Sequence, residues 1–253
     1  RAINILKKVS MIACEDTRQT RKLTNKFEIR NKLISFNKHN ASRRIPKLIT
    51  YLREGKSIAL VSDAGMPSIC DPGEDLVKKV KMNKLETICI PGPSAALTAL
   101  ISSGFPASKF IFEGFLPKKK KEREKILADI SKNEKTTIVF ESPHRLNKLL
   151  NELREHCDGQ REISISRELT KKFEEQVNNK LDNLIDIFKN RKIIGEITII
   201  IKGLDKSNQT EINISELKNE LKELVSAGLS LSAASKYLAK KRNIKRNLIY
   251  KLY

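Results

Sequence analysis

The side chains able to do chemistry sit in short polar clusters, each directly after an apolar run. Glu15-Asp16-Thr17-Arg18 follows residues 11–14, Glu141-Ser142-Pro143-His144-Arg145 follows residues 136–140, and Arg167-Glu168-Leu169-Thr170-Lys171 follows residues 163–165. A carboxylate or imidazole at such a place can take a proton, and a cation beside it can hold a phosphate or steady a developing alkoxide. Glu15, Asp16, Glu141 and His144 are the candidate bases, with Arg18, Arg145 and Lys171 the candidate cations, and the sequence does not choose among them. Buried Arg–carboxylate pairs joining the two domains account equally well for Arg18, Arg145, Arg167 and Glu168, and an N-cap at Asp16 or Thr17 accounts for the first cluster. His39 reads as a surface-loop residue. Cys14, Cys70, Cys89 and Cys157 are scattered, with no CxxC and no Cys/His cluster. Neither a metal site nor a disulfide framework is expected, and a reducing cytoplasm fits.

Two further loops carry no obvious acid–base role but have unusual backbones. Residues 57–61 read as a short buried strand, and Ser62-Asp63-Ala64-Gly65-Met66-Pro67 then turns sharply, ending in Asp71-Pro72-Gly73 before a helix. Glycine permits the turn and the prolines stiffen it. Asp63 and Asp71 read as loop-shaping residues. In open α/β sheets such a loop, at the carboxyl end of a strand, is where ligands bind. The second loop, Pro91-Gly92-Pro93-Ser94-Ala95-Ala96, opens an apolar helix whose small first residues leave backbone N–H groups open to close approach. Neither GxxxxGK[ST] nor GxGxxG is present, so these are not phosphate loops of those types.

The elements that must position these loops alternate between strands and helices. Strands are expected at 11–14, 33–36, 57–61, 85–90, 110–112, 136–140, 163–165 and 195–201, with amphipathic helices between most of them. The pattern is α/β: an N-terminal domain at 1–106, a second at 107–203, a linker at 204–213 and three short helices at 214–253. Residues 229–253 contain seven Lys/Arg and no acid, which suggests a helix-turn-helix-like nucleic-acid-binding module. Lys118, Lys119, Lys120, Lys121 and Arg123 form a second basic stretch, and Lys240, Lys241, Arg242, Lys245 and Arg246 are the tail's candidate contacts. The formal net charge of +20 points to a polyanionic partner. No run approaches the roughly 18 apolar residues that a membrane span needs, and no secretory signal pattern is visible.

Six segments occur in a telling order: EDTR at 15–18, SDAGMPSICDPG at 62–73, PGPSAA at 91–96, FEGFLP at 112–117, ESPHR at 141–145 and RELTKKFEE at 167–175. Together they resemble the bacterial small-subunit ribosomal RNA 2′-O-ribose methyltransferases, in the tetrapyrrole (precorrin-type) methylase superfamily. The resemblance covers nearly the whole chain, the basic tail included. It implies a two-domain fold, with a parallel-sheet first domain and a mixed-sheet second one, a helical C-terminal module, and S-adenosylmethionine folded into the cleft without a metal. By position, Asp63, Ala64, Gly65 and Met66 would line the cofactor, with Pro91, Ser94 and Ala95 on the second loop. Phe140, Leu169, Glu196 and Ile197 would close around its adenine and sulfonium. The implied acceptor is the 2′-oxygen of a cytidine in the decoding region of 16S rRNA, attacking the sulfonium methyl in line. The implied partners are the small ribosomal subunit and a second copy of the chain.

Two departures from the family pattern stand out. The chain begins at Arg1, where the family has a strand and a Thr-Pro-Ile-Gly-Asn loop before the first helix, so a truncated sequence is expected. Ile194-Gly195-Glu196 stands where Lys-Gly-Glu is usual, and Lys192 is the nearest replacement for the lost cation. Two other readings remain: a methyltransferase of the same fold with a small acceptor such as a tetrapyrrole, and a non-catalytic ligand-sensing protein that binds nucleic acid.

Overall fold

The structure is a computed structural model describing residues 1–205, 214–242 and 246–253. It divides into two compact units, Arg1–Gly203 and Leu204–Tyr253. Most of the expected linker at 204–213 lies outside the described residues.

The larger unit holds two sheets. In the first, β1 (Met11–Cys14) lies between β2 (Lys32–Ser35) and β3 (Ile58–Val61), all parallel. Alternate residues of β1 point to opposite faces, as a strand's two-residue period requires. Met11 and Ala13 join Leu48 and Ile49 of α3 (Ala41–Arg53) and Leu76 and Val80 of α4 (Glu74–Met82). Ile12 joins Leu6 of α1 (Ala2–Lys8) on the other face. Parallel strands bring all three carboxyl ends to one edge, where residues 15–18, 37–40 and 62–73 emerge.

The expected strand at 85–90 does not form. Ile88 is 62% exposed, and among the described residues β3 pairs only with β1. An extended segment becomes a strand only when a neighbouring strand takes its N–H and C=O groups, and among the described residues 85–90 pairs with no strand.

The second sheet is mixed, in the order β4-β5-β8-β6-β7. β4 (Phe110–Phe115) runs parallel to β5 (Thr136–Glu141), and β8 (Ile197–Ile201), β6 (Glu162–Arg167) and β7 (Glu175–Lys180) complete it with antiparallel pairings. Val139, Ile199 and Ile201 face a large core with α6 (Lys120–Lys132), α7 (Leu146–His156) and α8 (Leu181–Phe188). Ile138 and Ile200 face the other way, onto Ala96, Ala99 and Leu100 of α5 (Ala95–Ser103). The helix that opens from the second loop therefore packs on the second sheet. β7 carried no hydrophobic signal: Glu-Gln-Val-Asn-Asn-Lys is an edge strand with one large apolar residue.

The smaller unit contains α9 (Ile214–Ser226), α10 (Leu231–Arg242) and α11 (Arg246–Tyr250). Leu217, Leu221, Ala234, Leu238 and Ile249 form its core.

Candidate active site

The two unusual loops meet. Gly65 has φ 71°, and a Cβ added there would sit 3.4 Å from the Pro93 carbonyl oxygen. A Cβ on Gly92 would sit 3.7 Å from Met66 Cγ. The first loop is held from within, since Ser62 Oγ lies 3.1 Å from the Ala64 carbonyl oxygen and 3.3 Å from that of Gly65. It is also held from β2, because Lys38 Nζ donates to the Cys70 carbonyl at 3.3 Å. On the second loop, Ser94 caps α5 by accepting from the Leu97 N–H at 3.4 Å. The Ser94 hydroxyl is thus engaged, while Ala95 remains exposed at the helix start.

The remaining cofactor candidates gather beside these loops. Phe140 and Leu169 pack with Ala96 against α5. Glu196 lies close enough to Asp71 for their charges to interact. The Glu196 N–H donates to Glu168 Oε1 at 2.9 Å, and Lys171 Nζ reaches Glu168 at 2.7 Å and Glu196 at 2.9 Å. Lys171, rather than Lys192, supplies the cation at Glu196. Glu168 and Thr170 adopt positive φ of 53° and 67°, and a Cβ on Gly195 would overlap the Glu168 carboxylate. Only glycine lets those two segments approach so closely. Ile197 is corrected: it is 3% exposed and its side chain belongs to the core of the second sheet.

The electrostatics separate the candidate bases. Desolvation pushes the Glu15 carboxyl up, with Asp71 and Asp63 adding to the effect. Burial likewise raises Asp71, which Ser62 and Lys38 oppose and Asp63 and Glu196 reinforce. Asp16 goes the other way: hydrogen bonds from the Arg18 side chain and backbone bring it to about 2. Its carboxylate accepts the Arg18 N–H at 2.8 Å as the N-cap of α2 (Thr17–Lys26). Asp16 and Arg18 are therefore a capping pair at the surface, with the Arg18 side chain 87% exposed.

Two candidates are overturned by burial. Glu141 has a fully buried side chain, held by Arg145 Nη2 at 2.6 Å and Arg123 Nη2 at 3.3 Å. A carboxylate enclosed by two guanidinium groups is committed to structure, not available as a base. Arg123, expected to contact RNA, is 4% exposed and also binds Glu152 at 2.7 Å. Its position three residues into α6 turns it inward while Lys118, Lys119, Lys120 and Lys121 stay exposed. His144 is exposed in a single 3₁₀ turn, Pro143–Arg145. In the smaller unit Lys241 lies 3.6 Å from Glu220 and Arg246 donates to Ser232 Oγ at 2.7 Å. The side chains of Lys240 and Arg242, and Lys245 entirely, lie outside the described residues. Lys38 was missed by sequence reasoning, which singled out only His39 in the loop that carries both.

A sheet of parallel strands offering paired loops to a mixed sheet is the architecture of the tetrapyrrole methylases. The family model described as Tetrapyrrole (Corrin/Porphyrin) Methylases matches residues 1–185. Among solved structures, a cobalt precorrin-4 methyltransferase superposes with a TM-score of 0.59 at 16% identity, covering 79% of this chain and 86% of its own. A uroporphyrin-III C-methyltransferase from Thermus thermophilus, complexed with S-adenyl homocysteine, gives 0.53 at 16% identity over 79% and 88%. Within this superfamily the chain belongs to the ribosomal RNA small subunit methyltransferase I family. The relative so named from Bacillus subtilis (strain 168) is 40% identical over 260 residues, covering 100% of this chain and 88% of its own length. The one from Synechocystis sp. is 38% identical over 252 residues, covering 100% and 90%, and that from Thermotoga maritima is 44% identical over 203 residues, covering 80% and 90%.

Proposed function

We propose that this protein methylates the 2′-oxygen of a cytidine in 16S rRNA, within the small ribosomal subunit, using S-adenosylmethionine. The observation that carries the cofactor reading is the meeting of the two loops at Gly65–Pro93 and Met66–Gly92, flanked by Glu15, Asp63, Asp71 and Glu196. These carboxylates make the loop contact acidic in a chain of net charge +20, which suits a small cation rather than a phosphate. Glycines that permit close backbone approach, free N–H groups at the start of α5 and the apolar side chains of Phe140 and Leu169 fit the rest of that molecule. Bound there, the cofactor would supply an electrophilic methyl group on sulfur.

This chain's own residues would hold and orient the reactants. Asp63 through Met66, Pro91, Ser94 and Ala95 would cradle the cofactor, with Phe140 and Leu169 excluding water from its base. Glu15 suits removal of the ribose proton best among the carboxylates: it is partly buried, its carboxyl is pushed up, and it stands at the strand ends. Lys171 and Arg145 are the cations available to the acceptor's phosphate or its developing alkoxide. The basic stretch at Lys118–Lys121 and the C-terminal helices would bind RNA, which alone offers a 2′-hydroxyl. Leu97 and Ile101, 47% and 76% exposed on one ridge of α5, support association with a second copy of the chain.

The decisive test is transfer of labelled methyl from S-adenosylmethionine to unmethylated small subunits, beside free rRNA, DNA and tetrapyrrole acceptors. The expected product is a single 2′-O-methylcytidine in the subunit RNA. Cofactor binding without label in RNA would overturn the acceptor, and label in a small acceptor would replace it.

A further inference from the structure

We propose that Phe112 and Phe115 form a stacking platform for an unpaired base of the RNA, with Lys118 and Lys121 holding the phosphates beside it. The proposal rests on the RNA-methylating reading above and adds where the substrate is gripped.

The two rings should not share a face. Residues three apart in a regular strand point to opposite sides. Here the register of β4 on β5 shifts between Phe112 and Gly114, so Glu113 is bulged out. Both rings then reach Phe140: Phe112 at 5.1 Å with planes at 77°, Phe115 at 5.6 Å with planes at 59°. Bulges near functional sites commonly re-aim side chains in this way. The bulge is also pinned. Gly114 has φ 61°, and a Cβ there would lie 2.8 Å from Cys70 Sγ on the first site loop.

Packing on Phe140 does not bury these rings. Phe112 remains 36% and Phe115 53% exposed, whereas the next residue, Leu116, is 2% exposed. The strand has interior space and still leaves two aromatic faces in water. The stretch of chain that follows them is positive. Residues 112–121 contain four lysines and one acid, Glu113. Lys119 pairs with Glu122 at 3.2 Å and Lys120 with Glu124 at 3.7 Å, while Lys118 and Lys121 have no ion pair among the described residues. An apolar protein partner gains nothing from lysines at its edge. Exposed aromatic faces followed within a few residues by unpaired lysines match a single-stranded nucleic acid, whose bases stack and whose phosphates pair. RNA is read most often where bases are splayed out of a helix. Phe140 belongs to the cofactor set, so a base held here would lie beside the methyl-transfer site.

The test uses the whole chain and a single-stranded oligoribonucleotide carrying 2-aminopurine next to a cytidine. Wild type should quench the 2-aminopurine on binding. Phe112→Leu with Phe115→Leu should lose the quenching and weaken binding about tenfold or more, since base–aromatic stacking is a large share of such affinity. Phe115→Tyr, which keeps a ring, should retain both. Calorimetric binding of S-adenosylmethionine, sedimentation and thermal melting should stay at wild-type values. Unchanged quenching and affinity in the leucine variants would overturn the platform. So would a selective loss of cofactor binding, which would assign the rings to the cofactor, or dissociation of a dimer, which would assign them to a second copy. Small subunits methylated by wild type and leucine variants at equal rates would sink the platform alone. Failure of wild type to bind or methylate any RNA would sink the parent reading with it.

Discussion

The two sheets of the larger unit use similar apolar sequences to opposite ends. β3 reads Ile-Ala-Leu-Val and all four residues are only half-buried, while β8 reads Ile-Thr-Ile-Ile-Ile and is buried throughout. β8 has a strand on each side and packing on both faces, whereas β3 has β1 on one side only. Apolar composition alone therefore does not set burial; the number of covered sides does. The difference has a functional counterpart. The second sheet derives its rigidity from a continuous core. The first sheet is thinner and carries the charged loops, so those loops depend on local devices: the Asp16 cap, the Ser62 hydroxyl, the Lys38 bond to Cys70 and the glycines at the loop contact.

That contrast can be broken most forcefully at Glu141. Replacing it by alanine leaves Arg123, with a side chain 5% exposed, paired with Glu152 but with no carboxylate facing its Nη2. Removing one member of a buried ion pair typically costs about 3–5 kcal/mol. Chemical denaturation of Glu141→Ala should show a loss in that range, and a loss below about 1 kcal/mol would mean that the network is effectively solvated.

A matched pair of truncations sharpens the same comparison. Leu149, fully buried on α7, should cost about 2–5 kcal/mol as alanine. Ile58 in half-buried β3 should cost about 1–2 kcal/mol, because less apolar area leaves water there. Equal losses in urea melts would show that β3 is as well covered in solution as the core around α7.

A similarly small stability effect, with the largest effect on the site, is expected at Gly65→Ala. A residue with a side chain pays about 1–2 kcal/mol in the left-handed region, and this one would also fill the space up to van der Waals contact with the Pro93 carbonyl. Calorimetry should show S-adenosylmethionine binding weakened more than the modest fall in melting temperature accounts for. Unchanged affinity would place the cofactor away from the contact between the loops.

Much of this was legible in the chain. The α/β alternation, the loops at strand ends and the three C-terminal helices follow from short apolar runs broken by Gly, Pro and polar clusters. These are local signals, set by backbone sterics and hydrophobic period. The family resemblance implied the parallel and mixed sheets and added the cleft and its cofactor. Three features were not legible, for one reason. β7 is polar and exists because β6 offers an open edge, while residues 85–90 are apolar and form no strand because nothing pairs with them. Arg123 and Glu141 look like surface chemistry until α6 and β5 bring them together in the interior. Phe112 and Phe115 share a face only through a one-residue shift in pairing. Residue types and spacing decide which local conformations are possible and which groups are present. Pairing partners, burial and the protonation of a carboxylate depend on neighbours far away in the chain, and only the folded arrangement supplies them.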